Sequence, residues 1–447
     1  EWLMKILIML IPIILLVIVA FISRNLLFSM ICAAFLAVVI ECKGTFFTGF
    51  IDHIYEVLGN STLQYILIFA VLAGAMIKLL EKSGAMTGFS KIMNKLANSS
   101  KKSMFLTWLL GGIVFIDDYL NALAVSTTMI GITDKQKIPR EHLAYTVNSM
   151  GACVCVMLPI TSWAACAIST LNDTGMGNKI YIQAIPFMFY PIAAIICCLL
   201  LALGIMPQIG NMKKAYERVN SGGDTLDEIS KSTNEEIPVS NEKGNPWFFI
   251  IPMVVLVVVT IIFNINLVAG LMATLVVQGI LYITTKTMTF KEFFECVERG
   301  AESMTEINLV VVAAFIMNLA LSNMGFSDLV IKYCSENITP QLLPLIVFLA
   351  VAFLAYVTAN FWALVVLTIP IFVPMAVKMG VNPAIIVGAI MSGAAFGSHC
   401  CMYADAVFMT SVGTGVNNMV QVKAMLPYAA IGGIFAIAMY LIAGFAF

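Results

Sequence analysis

MFLTWLLGGIVFIDDYLNALAVSTTMI, residues Met104–Ile130, is an apolar run with two adjacent carboxylates, Asp117 and Asp118, near its middle. A single crossing of a bilayer takes about 20 residues, so the run is too long for one span and too short for two. Each carboxylate at mid-membrane costs roughly 2.5 to 3.5 kcal/mol on insertion scales. The reading that accommodates both facts is a hairpin that enters the membrane and returns to the same side, with the acids at its tip. Lys and Arg test it, because they concentrate in short cytoplasmic loops. With this hairpin re-entrant, of the 24 Lys and Arg only Lys5, Lys43, Lys179, Lys332 and Lys378 fall outside. A full crossing here would instead carry Lys135, Lys137, Arg140 and the cluster at Lys213 outward.

Working outward, apolar runs cover Leu3–Ile22, Leu26–Ile40, Leu63–Leu80, Leu143–Leu171 and Ile180–Met206 in the first half. In the second they cover Trp247–Phe263, Leu267–Ile283, Ile307–Leu321, Leu342–Val357, Trp362–Val377, Ala384–Val412 and Met425–Phe447. Between the halves, Gln208–Asn245 is rich in Ser, Asn, Lys and Glu and reads as a solvated linker. Two breaks correspond: "LPITSW" (Leu158–Trp163) lies over "CCMYADA" (Cys400–Ala406), with Thr161 over Ala404 and Ser162 over Asp405, and "IDDYLNA" (Ile116–Ala122) lies opposite "TANFWA" (Thr358–Ala363). Five crossings per half make the halves inverted, a pattern of secondary transporters.

The expected fold is therefore an all-α polytopic membrane protein of two inverted repeats, with ten transmembrane helices, two re-entrant hairpins and two broken helices. Residues 1–206 form the first repeat (hairpin 104–131, broken helix 142–171), 207–246 a cytoplasmic linker, and 247–447 the second repeat (hairpin 340–378, broken helix 383–412). Both termini are expected outside a bacterial inner membrane. Leu3–Ile22 lacks a small-residue cleavage site and is followed at once by a second run, so it is expected to stay as an anchor. Phe46–Leu58 and Phe290–Arg299 are amphipathic and read as helices lying along the membrane surface.

Composition agrees. Of 447 residues 61% are hydrophobic and 11% charged, with a mean hydropathy of +0.97, against about 45 to 50% apolar and about 25% charged in soluble domains. The net charge of -1 predicts no nucleic-acid partner. Most of the 11 cysteines, among them Cys153, Cys155, Cys166, Cys197, Cys198, Cys400 and Cys401, sit in apolar runs and read as small buried hydrophobes. Walker, GxGxxG and nucleophile-elbow motifs do not occur, so neither an ATPase nor a membrane hydrolase is expected and no cofactor is implied. The protein is not read as an enzyme.

Non-helical backbone at membrane depth is tolerated only where protein or water covers it, so the interruptions should meet at a central cavity. Asp117 and Asp118 are the candidate cation and proton site, because a buried carboxylate beside a like charge favours its proton and a bound sodium favours the ionised form. Asn121, Thr161 and Ser162 offer side-chain oxygens for the sodium; alternatively Thr161 and Ser162 only satisfy backbone groups opened by Pro159. In the second half Ser398, His399 and Asp405, with Thr358 and Asn360 at the hairpin tip, form the facing set. His399 is either a proton relay or a neutral structural histidine; a soft-metal site with Cys400 and Cys401 lacks further ligands. Tyr119, Trp163, Phe361, Trp362 and Tyr403 crowd the same points. They either pack the tips or offer surfaces for a small organic solute.

At these residues the chain resembles the NhaC-type sodium/proton antiporter family. The likeness runs from "FIDDYLNALAVSTTM" (Phe115–Met129) through "ITDKQKIPREHLAY" (Ile132–Tyr145) to "LPITSW", and returns in "GSHCCMYAD" (Gly397–Asp405) and "LPYA" (Leu426–Ala429). The resemblance implies an inverted-repeat transporter coupled to sodium and protons, and an ion-site role for Asp117, Asp118, Asn121, His399 and Asp405. Similar proteins include exchangers of malate for lactate. Where the family reads G-D-H-C-S-P-I-S-D, this chain has Ser398, Cys401, Met402 and Ala404 in place of Asp, Ser, Pro and Ser, which removes oxygens and opens an alternative: coupled transport of a small amino acid or carboxylate, with Thr358, Asn360, Ser398, Trp163, Trp362, Tyr403 and Tyr119 against the solute. The expected partners are the bilayer, a small cation and, in that alternative, the solute, with homodimerisation left open.

Overall fold

The computed structural model describes residues 2–23, 26–233, 244–263, 266–326, 329, 336, 338–358, 361–402 and 404–446. Among them all regular structure is helical. The first half holds α1 (Trp2–Ser23), α2 (Leu26–Cys42), α3 (Phe46–Leu58), α4 (Ser61–Lys82), α5 (Ala85–Leu96), α6 (Ser100–Ile113), α7 (Asp118–Lys135), α8 (Arg140–Met157), α9 (Ser162–Asp173), α10 (Gly177–Ala184) and α11 (Phe189–Ala202). Two short helices follow, α12 (Gly210–Asn220) and α13 (Glu228–Thr233). The second half holds α14 (Trp247–Ile262), α15 (Leu267–Thr284), α16 (Phe290–Ser303), α17 (Thr305–Asn323), α18 (Leu343–Thr358), α19 (Phe361–Met379), α20 (Pro383–Cys400), α21 (Asp405–Thr414) and α22 (Asn418–Ala446).

Polar residues at the ends of apolar runs start these helices. Asn60 accepts from Thr62 N at 2.8 Å and Leu63 N at 3.0 Å to open α4, and Asn382, followed by Pro383, opens α20. Among the described residues seven helical segments are long and apolar enough to cross a membrane, and α10–α11, bent by 49°, make an eighth. Leu7–Val19 within α1 and Trp247–Ile262 (α14), where each half was expected to make its first crossing, are shorter apolar helices. The protein is a multi-pass, all-helical membrane protein.

The run that opened the sequence reading folds as two helices, α6 and α7, that return to one end. Ser100 Oγ at the start of α6 donates to Gln136 O just past α7 at 3.1 Å, and Gln136 Nε2 reaches Ala97 O at 3.4 Å. The corresponding breaks fall at Leu158–Thr161 between α8 and α9 and at Cys401–Ala404 between α20 and α21. Packing pairs correspond as well: α6, α7 and α11 lie on α8 as α18, α19 and α22 lie on α20. Across the halves, α7 packs on α21 and α9 on α19.

In lipid such contacts rest on close backbone approach at small residues. A Cβ on Gly397 would lie 2.3 Å from Ala355 Cβ, and one on Gly413 would lie 2.8 Å from Ser126 Cβ, so α20 and α21 can seat on α18 and α7 only with glycine there.

Two segments pack more closely than composition suggests. The stretch read as a solvated linker is folded over its first part: Met212, Ala215 and Val219 of α12 are buried, and Arg218 grips the buried Glu141 through two bonds of 2.8 and 3.0 Å. Low apolar content hid this, because the docking uses a few residues on one helix face plus charge pairs. Residues 234–243 lie outside the described set. Phe290–Arg299 lies on α16, which packs along α4, with Gly300 against Gly74, where a Cβ would meet Gly300 O at 2.2 Å.

Candidate functional site

The chain between α6 and α7 leaves its carbonyls without helical partners, and each finds one. Asn121 Nδ2 donates to Gly111 O at 2.7 Å and Val114 O at 2.8 Å. Cys155 Sγ donates to Phe115 O at 3.0 Å, and Ser162 N donates to Ile116 O at 2.9 Å. The hairpin tip is thereby stitched to α8 and to the first residue of α9. Non-helical backbone is buried in protein here, as an apolar solvent demands.

Asp117 and Asp118 are both buried at this junction. Asp117 Oδ1 caps α7, accepting from Tyr119 N at 3.0 Å and Leu120 N at 3.2 Å, and the Ser162 side chain faces the same carboxylate. Asn121 lies over Gly151 of α8. Its two donated bonds fix the amide orientation, because a flipped amide would set its oxygen against two carbonyls. Asn121 Oδ1 is then left buried with no hydrogen-bond partner, while the Ser162 hydroxyl has the Asp117 carboxylate as its neighbour. Two buried carboxylates and one unsatisfied amide oxygen thus lie in the segment where the hairpin meets the start of α9. An orphaned buried acceptor costs about 1 to 3 kcal/mol, a debt that a cation or an added proton removes.

Thr161 is committed differently. Its hydroxyl bonds Cys155 O and Leu158 O and accepts from Ala164 N at 3.1 Å, which caps α9. Trp163 stacks on Phe361 at 3.8 Å between ring centroids, pinning α9 to α19; its indole Nε1 is buried without a partner. Tyr119 is half-buried beside the acids.

His399 is fully buried at the end of α20, clamped between the halves. Its Nε2 lies 3.0 Å from Ser149 Oγ and its Nδ1 2.6 Å from Tyr190 OH, while its ring is parallel to that of Tyr145 at 6.4 Å. With both ring nitrogens occupied, either neutral tautomer is fully satisfied. Neither nitrogen is open to a soft metal with Cys400 and Cys401. From Ser149 to Cys155 α8 rises about 9 Å, so this helix carries the His399 contact at one level and the hairpin contact at another. Ser398 is buried beside His399. Asp405 is the first residue of α21, Thr358 the last of α18, and Trp362 lies in α19. Asn360 and Tyr403, named as site residues from the sequence, lie outside the described residues.

The N-terminus of α21 differs from its counterparts. Asp117 caps α7 and Thr161 caps α9 through side-chain oxygens, whereas Ala404 at the start of α21 can make no side-chain cap. Sequence reasoning missed Asn148, Ser149, Cys155 and Tyr190. "NSMGACVC" (Asn148–Cys155) is a polar interruption in an apolar run and could have pointed to the first three; Tyr190 gives no such signal.

A family model described as the Na+/H+ antiporter family matches residues 154–445. The match takes in Thr161, Ser162, His399 and Asp405 and begins after Asp117, Asp118 and Asn121. An uncharacterised protein of Haemophilus influenzae is 26% identical over 431 residues, taking in 87% of this chain and 80% of that protein. The crystal structure of the Alcanivorax borkumensis YdaH transporter superposes with a TM-score of 0.49 at 12% identity, covering 88% of this chain and 89% of that one. The solved structure of Neisseria gonorrhoeae MtrF, from a class of antimetabolite efflux pumps, gives 0.46 at 15% identity over 89% of this chain and 83% of that one.

Proposed function

The chain belongs to the Na+/H+ antiporter family and is a secondary transporter; from that premise we propose that it exchanges sodium for protons across a bacterial inner membrane, with Asp117 and Asp118 as the shared site. One observation carries this reading: two buried carboxylates share the hairpin tip with Asn121, whose buried Oδ1 lacks a partner, and the Ser162 hydroxyl faces Asp117. The donor set is all oxygen, which suits a hard cation. Sodium there is bound by the ionised acids and the two neutral oxygens. A proton in its place turns one acid into a donor that Asn121 Oδ1 or Ser162 Oγ accepts. Sodium needs the ionised acids and a bound proton removes that charge, so the two exclude each other. Exclusive binding, with access alternating between the two sides of the membrane, couples the opposed fluxes.

The reciprocal packing of α7 on α21 and α9 on α19 supports a two-fold internal repeat. His399, between Ser149 and Tyr190, joins the halves and lies where a proton could pass between them. A second reading is coupled transport of a small amino acid or carboxylate, with the aromatic residues near the breaks against the solute. The Trp163–Phe361 stack weighs against it, because those ring faces are already covered.

The test is sodium-driven proton movement in sealed proteoliposomes holding only this protein, followed with an internal pH dye. Sodium added outside sodium-free vesicles should alkalinise the interior without any other solute. No proton movement until an amino acid or carboxylate is added would replace this reading with the second.

A further inference from the structure

Away from the central site, the end of α2 and the helix that follows it gather three metal-ligating side chains. We propose that Glu41, Cys42 and His53 bind one divalent transition metal of the zinc class, which fastens α3 to the end of α2. The ligand atoms of the three all lie within 4.8 Å of one another, close enough for one ion with bonds of about 2.0 to 2.3 Å to reach all three after small side-chain rotations.

The surroundings are those of a prepared site. His53 Nδ1 lies 2.6 Å from Gly49 O, one turn earlier in α3. The carbonyl can only accept, so Nδ1 carries the proton and Nε2 is the nitrogen free to ligate, the arrangement that backbone carbonyls impose on metal-bound histidines. That Nε2 lies 2.8 Å from Glu41 Oε2, and both atoms are buried without a hydrogen-bond partner. Two lone pairs at this separation need a positive charge between or beside them, supplied by a second ring proton or by a metal. The other oxygen, Glu41 Oε1, accepts from Asn323 Nδ2 at 2.8 Å, which orients the carboxylate from the end of α17. Gly49 contributes twice, because a Cβ there would lie 2.5 Å from Cys42 Sγ and push the sulfur out of the cluster.

Cys42 is a free thiol, and Asp52 is a further carboxylate near its sulfur. On binding, the thiol proton leaves to solvent and the sulfur ligates as thiolate. One sulfur, one imidazole nitrogen and one carboxylate oxygen form a borderline-soft set that suits zinc over magnesium or calcium, with a fourth position open to water. Phe35 of α2 packs edge-to-face on Phe46 and Phe50 of α3, so the two helices are already held together beside the cluster's segment.

The experiment titrates zinc into the full chain, purified in detergent and freed of metal by chelation, and counts bound zinc after equilibrium dialysis. One zinc per chain is expected. His53→Ala and Cys42→Ser should each weaken binding by more than about tenfold, and Asn323→Ala, which leaves all three ligands in place, by about tenfold. Cobalt in place of zinc should give a thiolate-to-cobalt absorption that Cys42→Ser abolishes. Absence of zinc binding overturns the proposal, as does wild-type affinity in His53→Ala or a thiolate–cobalt band that survives in Cys42→Ser.

Discussion

Asp117 has two separable tasks, and replacing it with Asn or with Ala should part them. Its Oδ1 caps α7 through bonds of 3.0 and 3.2 Å to Tyr119 N and Leu120 N. Asn caps a helix about as well as Asp, whereas loss of the cap to Ala costs about 0.5 to 2 kcal/mol. Asp117→Asn should therefore unfold in detergent at nearly the wild-type denaturant midpoint, and Asp117→Ala should lose about 1 kcal/mol. Exchange should fail in both, because neither replacement can carry the charge that sodium and the proton share. The assays are tryptophan fluorescence during unfolding and sodium-driven proton flux in proteoliposomes. Wild-type flux in Asp117→Asn would refute the ion role. Equal destabilisation of both variants would refute the cap as the structural role.

Other residues give sharper contrasts. Ser162→Ala removes a hydroxyl that faces the Asp117 carboxylate, so stability should fall by about 1 kcal/mol while half-saturation by sodium in the flux assay rises several-fold. Gly413→Ala forces a methyl to 2.8 Å from Ser126 Cβ; overpacking of this kind costs about 1 to 3 kcal/mol, to be read as a lowered unfolding midpoint. Arg218→Met strands the buried carboxylate of Glu141, whose partner is itself 28% exposed. The loss should fall below the 3 to 5 kcal/mol typical of fully buried pairs, at about 2 kcal/mol, and limited proteolysis should cut the segment after α11 faster than in wild type.

How much of this was legible in the sequence depends on what each residue does. The breaks at Leu158–Thr161 and Cys401–Ala404 could be read because a proline or a polar cluster inside a long apolar run is hard to place in lipid in any other way. Asp117 and Asp118 were legible for the same reason. The partners of His399 were not, since Tyr190 and Ser149 meet it from other helices and tertiary neighbours leave no mark at fixed spacing. Thr161 illustrates a limit of residue type: an oxygen that could ligate is engaged with Cys155 O and Leu158 O. Docking of α12 was hidden by its charge, because Arg218 and Glu141 look solvated until they are seen together. The pairing of α7 with α21 also lay beyond reach, although Gly413 marks it in retrospect.

The central claim is that sodium and a proton compete for one carboxylate site at Asp117 and Asp118. It is tested most directly by equilibrium binding of radioactive sodium to the purified protein across a pH series. Competition predicts an unchanged number of sites and an apparent Kd that rises by about tenfold for each pH unit on the acid side, with binding lost in Asp117→Asn. A Kd that stays constant with pH, or sodium binding that survives in Asp117→Asn, would contradict it.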